Sequence, residues 1–329
     1  MTRVFRLACV LFLIVGLAPS WGAGKPSFTV GVSIWTGWMP FYLMEAKGLL
    51  AKRAEAEGIT VKLQKFKDYL ASVQAFASGS LDACTMTIMD ALQPAAGGIQ
   101  SRAVVVNDFS AGGDGVLAKK GLTMKDIKGK EVLLEQGSVS HYLLIKALEA
   151  NGLTEGQVVI KNIGGDDAGK AFLTGQCDFA VTWNPHLYTA VEGGKGEILF
   201  TSKSIPGEII DLLIWNGKKL DRDPRPARAV VLAWYDAMEM IVNPRTREEA
   251  IKIMSSEAGT TPDDFKKMLG GTDIFTDPKR AVDFMKSDQI KKTVESVKLF
   301  LNKHDKLDDM SAEVKFDPSF VPGQGAVSK

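Results

Sequence analysis

The chain has 329 residues, room for two domains of about 150 residues each. Its 45% hydrophobic and 24% charged residues are ordinary for a globular protein and exclude a disordered chain. Forty Lys+Arg against 39 Asp+Glu leave a formal charge of +1, without the basic surplus of a nucleic-acid binder, and three Cys are too few for a disulfide scaffold.

Arg3 and Arg6 precede an apolar run of 11 residues, Leu7 to Leu17, and then Pro19, Ser20, Gly22 and Ala23. This three-part layout predicts a secretory signal peptide over residues 1–24, cleaved after Gly22 or Gly24. Cys9 has almost no apolar stretch before it, which argues against a lipid anchor there. Removing Arg3 and Arg6 leaves 38 basic against 39 acidic residues, a net charge of −1. The expected location is the periplasm, and Cys84 and Cys177 are expected as two buried, unpaired thiols.

Phe28 to Ile34 reads as a β-branched strand, and Pro40 to Leu50 as a helix stopped near Gly48. Val61 to Phe66 alternates as a strand, Tyr69 to Ala77 is helical with Asp68 as N-cap, and Leu81–Thr87 and Ala103–Val106 are further strands. Strands alternating with helices predict parallel β-α-β units. Ala75-Phe76-Ala-Ser-Gly79-Ser-Leu-Asp82 recurs as Ala171-Phe172-Leu-Thr-Gly175-Gln-Cys-Asp178, and Gly37 to Leu43 matches Gly137 to Leu143 at Gly, Tyr and Leu. Two similar segments in the same order predict a duplicated α/β lobe. After Asn216 the pattern changes to helices, expected over Ala227–Val242, Arg247–Ala258, Pro262–Leu269 and Arg280–Asn302, with a loose tail after Pro318.

In open α/β sheets, ligands bind beyond the carboxyl ends of the strands. The loops there hold Trp35 and Trp38, Asp68, Asp90, Asp114, and Trp183 with Asn184 and His186; a return crossing holds Glu208 and Asp211. Three of the six Trp fall in these loops, and Arg is absent from them. Trp faces and carboxylates suit a cation or a flat amide-like donor, whereas a nitrate or sulfonate site would want Arg, Lys or converging helix N-termini. Each residue has a plainer reading too: lobe packing for the Trp, helix or turn capping for Asp68, Asp90 and Asp114, N-capping for one of Ser138 and Ser140, and packing for His141 and His186. Three His and no clustered Cys give no metal-site signature, and the common hydrolase, zinc-protease and P-loop motifs are missing.

The motifs Ile34-Trp35-Thr-Gly-Trp38-Met-Pro40, Thr87-Ile-Met-Asp90-Ala91, Pro94-Ala-Ala-Gly97-Gly98, Ser138-Val-Ser-His141-Tyr142-Leu143, Val181-Thr-Trp183-Asn184-Pro185 and Ile205-Pro-Gly-Glu208-Ile-Ile-Asp211 resemble a known family. It is the periplasmic substrate-binding proteins of ABC importers, of the nitrate/sulfonate/taurine (NMT1/THI5-like) type, in the branch encoded near urea carboxylase. The resemblance runs from about Phe28 to about Met240. It implies an α/β, type II clam-shell with two crossovers, in which 25–114 plus 212–329 form the first lobe, carrying the C-terminal helices, and 115–211 the second. It further implies a monomer without cofactor or enzymatic activity, which hands a small guanidinium- or urea-like compound to a membrane permease. The candidate ligand residues are Trp35, Trp38, Asp68, Asp90, Asp114, Ser138, Ser140, His141, Trp183, Asn184, Glu208 and Asp211. Two rival expectations are a nitrate, taurine or alkanesulfonate binder and a secreted enzyme of the same fold.

Overall fold

The computed structural model describes residues 24–324. Cys9 and all of the expected signal peptide but Gly24 lie outside the described residues. Among the described residues no helix is long and apolar enough to cross a membrane.

The first part of the chain alternates strands β1 (Ser27–Val32), β2 (Thr60–Lys65), β3 (Ala83–Thr87) and β4 (Ser101–Ser110) with helices α1 (Met39–Ala46), α2 (Leu49–Ala56), α3 (Tyr69–Ala77) and α4 (Ile88–Ala96). A second sheet follows, built from β5 (Asp114–Lys119), β6 (Glu131–Leu134), β7 (Val159–Asn162), β8 (Phe179–Trp183) and β9 (Gly196–Thr201), with α5 (Val139–Ala150), α6 (Gly165–Leu173) and α7 (His186–Glu192). The chain then returns to the first sheet through β10 (Ile210–Asn216). It ends in α8 (Gly217–Arg222), α9 (Arg225–Val242), α10 (Arg247–Glu257), α11 (Pro262–Leu269), β11 (Thr272–Ile274), α12 (Pro278–Met285), α13 (Asp288–Lys303) and β12 (Val314–Phe316).

The first sheet has the order β11-β4-β10-β3-β1-β2, with β12 also on β4; the second has the order β7-β6-β8-β5-β9. In each sheet three neighbouring strands are parallel, and the strands flanking the crossings are antiparallel. The mixed α/β architecture with two sheets is the one the alternation predicted. The chain changes sheet at residues 111–113 and again at 202–209. These crossings are tied together, for the Ser202 hydroxyl lies 2.7 Å from that of Ser110 and accepts from the Gly112 N–H at 2.8 Å.

The internal repeat has a structural basis. Gly79 and Gly175 end α3 and α6 with φ of 81° and 79°, where a side chain would be strained. Their N–H groups donate to Phe76 and Phe172 carbonyls at 3.0 Å in both copies. Phe76 and Phe172 are buried under their respective sheets. α9 buries Val230, Trp234, Ala237, Met238 and Ile241, an apolar stripe at helical spacing, and packs on α1 and α2. Trp234 packs on Phe41 at 5.0 Å between ring centroids.

Two expectations for the C-terminal part are corrected. The single helix over Arg280–Asn302 is two, because Ser287 takes extended backbone and caps α13 by accepting from the Ile290 N–H. The tail after Pro318 is docked within the described residues: Phe320 and Val321 are buried, and Val314–Phe316 pairs with Ser101–Ala103. Cys84 and Cys177 are buried and unpaired.

Candidate functional site

Between the two sheets lies a cavity of about 30 Å³, on a scale where one water needs about 10–15 Å³. Its walls are Ile34, Trp35, Trp38, Tyr69, Thr87, Asp114, Val139, Trp183, Ile209 and Asp211. Trp35 follows β1, Thr87 closes β3 and Trp183 closes β8, so three strand ends converge as the doubly wound rule requires. From the opposite side Val139 opens α5.

The aromatic walls are fixed by packing. Trp38 and Tyr69 stand 5.5 Å apart between centroids, and Tyr69 meets Trp183 edge-on at 6.3 Å. Trp35 anchors its indole N–H on Asp108 Oδ1 at 3.0 Å. Gly113 in the first crossing makes room for that indole, since a Cβ there would stand 2.5 Å from the ring. The Trp38 indole N–H is buried without an acceptor in the protein.

Carboxylates surround this aromatic box. Asp114 and Asp211 line it, and Asp108 sits directly behind, opposite Asp211 across the β4–β10 ladder. All three are buried. Asp90 lies behind Tyr69 and Thr87, whose hydroxyls donate to its Oδ2 at 2.6 and 2.7 Å. No basic side chain lines the cavity, and among the described residues none pairs with these four acids. Burial therefore dominates their protonation: it pushes Asp108 up to about 7 and Asp114 up to about 6. Asp211 is raised as well, first by burial and then by the charges of Asp108 and Asp114. Asp90 is also raised by burial, with the Thr87 and Tyr69 hydroxyls pulling the other way. Asp108 Oδ2 meets no ordinary donor; a proton on Asp211 gives it one.

Of the sequence candidates, Trp35, Trp38, Trp183, Asp114 and Asp211 come together at this cavity. Asp90 acts through Tyr69 and Thr87. Asp68 is exposed and caps α3, accepting from the Ala71 N–H at 3.0 Å. Ser138 caps α5, and the Ser140 hydroxyl beside it is buried without a partner. Asn184, one residue before the N-cap Pro185, accepts from the Tyr188 N–H in the first turn of α7 at 3.1 Å. Glu208 is held by the Tyr142 hydroxyl and by Lys146 at 3.0 Å, which ties the return crossing to α5. His141 is fully buried away from the cavity, 2.9 Å from Glu155, whose other oxygen meets His304 at 2.8 Å. Burial pushes the His141 imidazole below its usual value, against the pull of Glu155.

Tyr69, Thr87 and Asp108 belong to the strand-end loops without being among the candidate ligand residues, and Glu135 lies outside both. Asp108 carried a signal, being an acid inside the apolar run Ala103 to Phe109, where a charge needs a reason. Glu135 follows β6, and with Asp90 lines a second, larger interlobe cavity of about 480 Å³.

A family model described as the NMT1-like family matches residues 22–255. A protein of Bacillus subtilis (strain 168) named for binding aliphatic sulfonates is 26% identical over 203 residues, 60% of this chain and 61% of its own length. The taurine-binding periplasmic protein of Escherichia coli (strain K12) is 23% identical over 75% of this chain and 78% of its own. Among solved structures, the alkanesulfonate-binding protein of Xanthomonas axonopodis pv. citri bound to MOPS superposes with a TM-score of 0.74. That match is 18% identical and covers 90% of this chain and all of the other, a likeness of fold.

Proposed function

The chain belongs to the NMT1-like family, and from that premise we propose that it is the periplasmic solute-binding component of an ABC importer. It captures a compact, flat nitrogen cation of the guanidinium class, or a urea-like relative, in the interlobe cleft and presents it to a membrane permease. It is a binding protein and not an enzyme, as the names of its relatives suggest.

The observation that carries this ligand class is the pairing of buried, cation-free acids with an aromatic box. Asp114 and Asp211, backed by Asp108, face a cavity walled by Trp35, Trp38, Tyr69 and Trp183. A carboxylate takes two N–H bonds from one edge of a guanidinium, while indole faces attract its charge. A small cavity also favours a compact ligand.

A second reading, a sulfonate or nitrate ligand, is supported by the names of the relatives and by the start of α5, which brings Val139 to the wall and leaves the Ser140 hydroxyl unpartnered. Calorimetry at pH 8 separates the two. We expect guanidinium to bind at micromolar concentration, and taurine, methanesulfonate and nitrate to give no heat. Tight binding of an anion without guanidinium binding would overturn the cation assignment.

A further inference from the structure

The larger interlobe cavity has its own chemistry. Its walls include Asp90 from the first turn of α4, Glu135 from the turn after β6, and Ser138. One acid thus comes from each sheet. Asp90 spends Oδ2 on Tyr69 and Thr87. Glu135 is 4% exposed, and its Oε1 has no hydrogen-bond partner. Lys306 lines the same cavity but forms no ion pair with either acid.

Two buried acids facing one gap repel each other when both are ionised, a cost that the Gly165 N–H on Glu135 and the two hydroxyls on Asp90 offset only in part and that a proton or a cation between them relieves. Burial and the charge of Asp90 together push Glu135 up to about 8. The gap is also contiguous in sequence with the aromatic box. Ser138 lines the large cavity and Val139 the small one, while Asp90 is bonded to two walls of the small one. At about 480 Å³ it has room for an alkyl chain, which the box at about 30 Å³ does not.

We propose that Asp90 and Glu135 form a second cation subsite, which takes an alkylammonium group while the guanidinium-like group occupies the aromatic box. This rests on the cation reading of the box. A ligand carrying both groups, a guanidine with an amine at the far end of a short chain, fills both cavities and draws an acid of each lobe onto one charge. A free alkylammonium ion is the other source of the same chemistry.

The test is calorimetry at pH 8.5 with guanidinium, butylguanidine and 4-aminobutylguanidine, on the wild type and on Glu135→Gln. The amine-tailed compound should bind the wild type at least tenfold more tightly than butylguanidine, and Glu135→Gln should abolish that margin. Methylammonium that tightens guanidinium binding in the wild type alone would assign the subsite to a free ion. Equal affinity for the two tailed compounds in the wild type, or a margin that survives in Glu135→Gln, overturns the proposal while the box remains a guanidinium site. Restoration of the margin in Glu135→Gln by Lys306→Gln also overturns it, because Lys306 would then be the cation that Glu135 serves. If none of the three compounds binds, the reading of the box itself fails, and the second subsite with it.

Discussion

Asp108 and Asp211 are direct cross-strand partners on β4 and β10, two buried acids facing each other where a sheet normally avoids like charges. The ladder shifts register between Asp211 and Leu212, an irregularity of the kind that re-aims a side chain. The result places Asp211 in the wall of the aromatic box and Asp108 behind it, bonded to Trp35. One proton shared by the pair, or one cation beside it, relieves the repulsion.

Ligand-free protein should lose stability as pH rises through this pair. An acid whose folded value is raised holds its proton more tightly when native, so the native state binds more protons in the window. For Asp108 the window runs from 3.8 to about 7, and for Asp114 from 3.8 to about 6. His141, pushed down by burial, works in the opposite sense below its usual 6.5. The comparison is therefore the melting temperature of the wild type minus that of Asp211→Asn, scanned from pH 5 to pH 8. The difference should fall with rising pH; a constant difference would show that no proton is shared.

Asp114→Asn keeps the size of the side chain and removes a charge from the wall. A hydrogen bond to a charged group contributes about 1.5–3 kcal/mol, which corresponds to roughly 10- to 150-fold in affinity. Guanidinium affinity should fall by that range in calorimetry. An unchanged dissociation constant would reduce Asp114 to a structural acid.

Trp183→Ala tests the aromatic face. One cation–π contact contributes about 0.5–2 kcal/mol, so guanidinium should bind roughly 2- to 30-fold more weakly. Indole fluorescence of the wild type should also respond to guanidinium. A fluorescence response of equal size in Trp183→Ala and Trp35→Phe would move the ligand away from both rings.

Gly113→Ala puts a methyl group 2.5 Å from the Trp35 ring and 3.1 Å from the Gly271 carbonyl. Overpacking of this kind costs about 1–3 kcal/mol. Chemical denaturation should show that loss, and it should shrink in a Trp35→Phe background, because the clash is with the outer indole ring. Identical losses in both backgrounds would place the conflict at Gly271.

Much of this was legible in the residues. Alternating strands and helices, the repeated Ala-Phe-x-x-Gly-x-x-Asp segment and the Trp-bearing strand ends fixed the fold class and five walls of the box. Asp68, Ser138 and Asn184 show why the rest was harder: a polar side chain opening a helix looks the same in sequence whether it faces a ligand or its own backbone. Glu208 and His141 found partners in Tyr142 and Glu155, at separations of 66 and 14 residues, contacts that no local pattern encodes. Tyr69 read as a helix start, and only the meeting of two sheets turns its ring into a wall.

The lobes also touch through residues outside the walls of the box. The Tyr188 hydroxyl donates to Asp264 at 2.7 Å, and His304 reaches Glu155 at 2.8 Å, each bond joining the second sheet's layer to the C-terminal helices. Trp35, Trp38 and Trp183 are only 3–7% exposed, so under the proposed function a solute would reach them by an opening of the lobes that parts these two bonds. Capture of the proposed solute would then have a clock of its own. The observed association rate should rise with solute concentration only to a ceiling, the rate at which the two clasps release, and loosening either clasp should lift that ceiling.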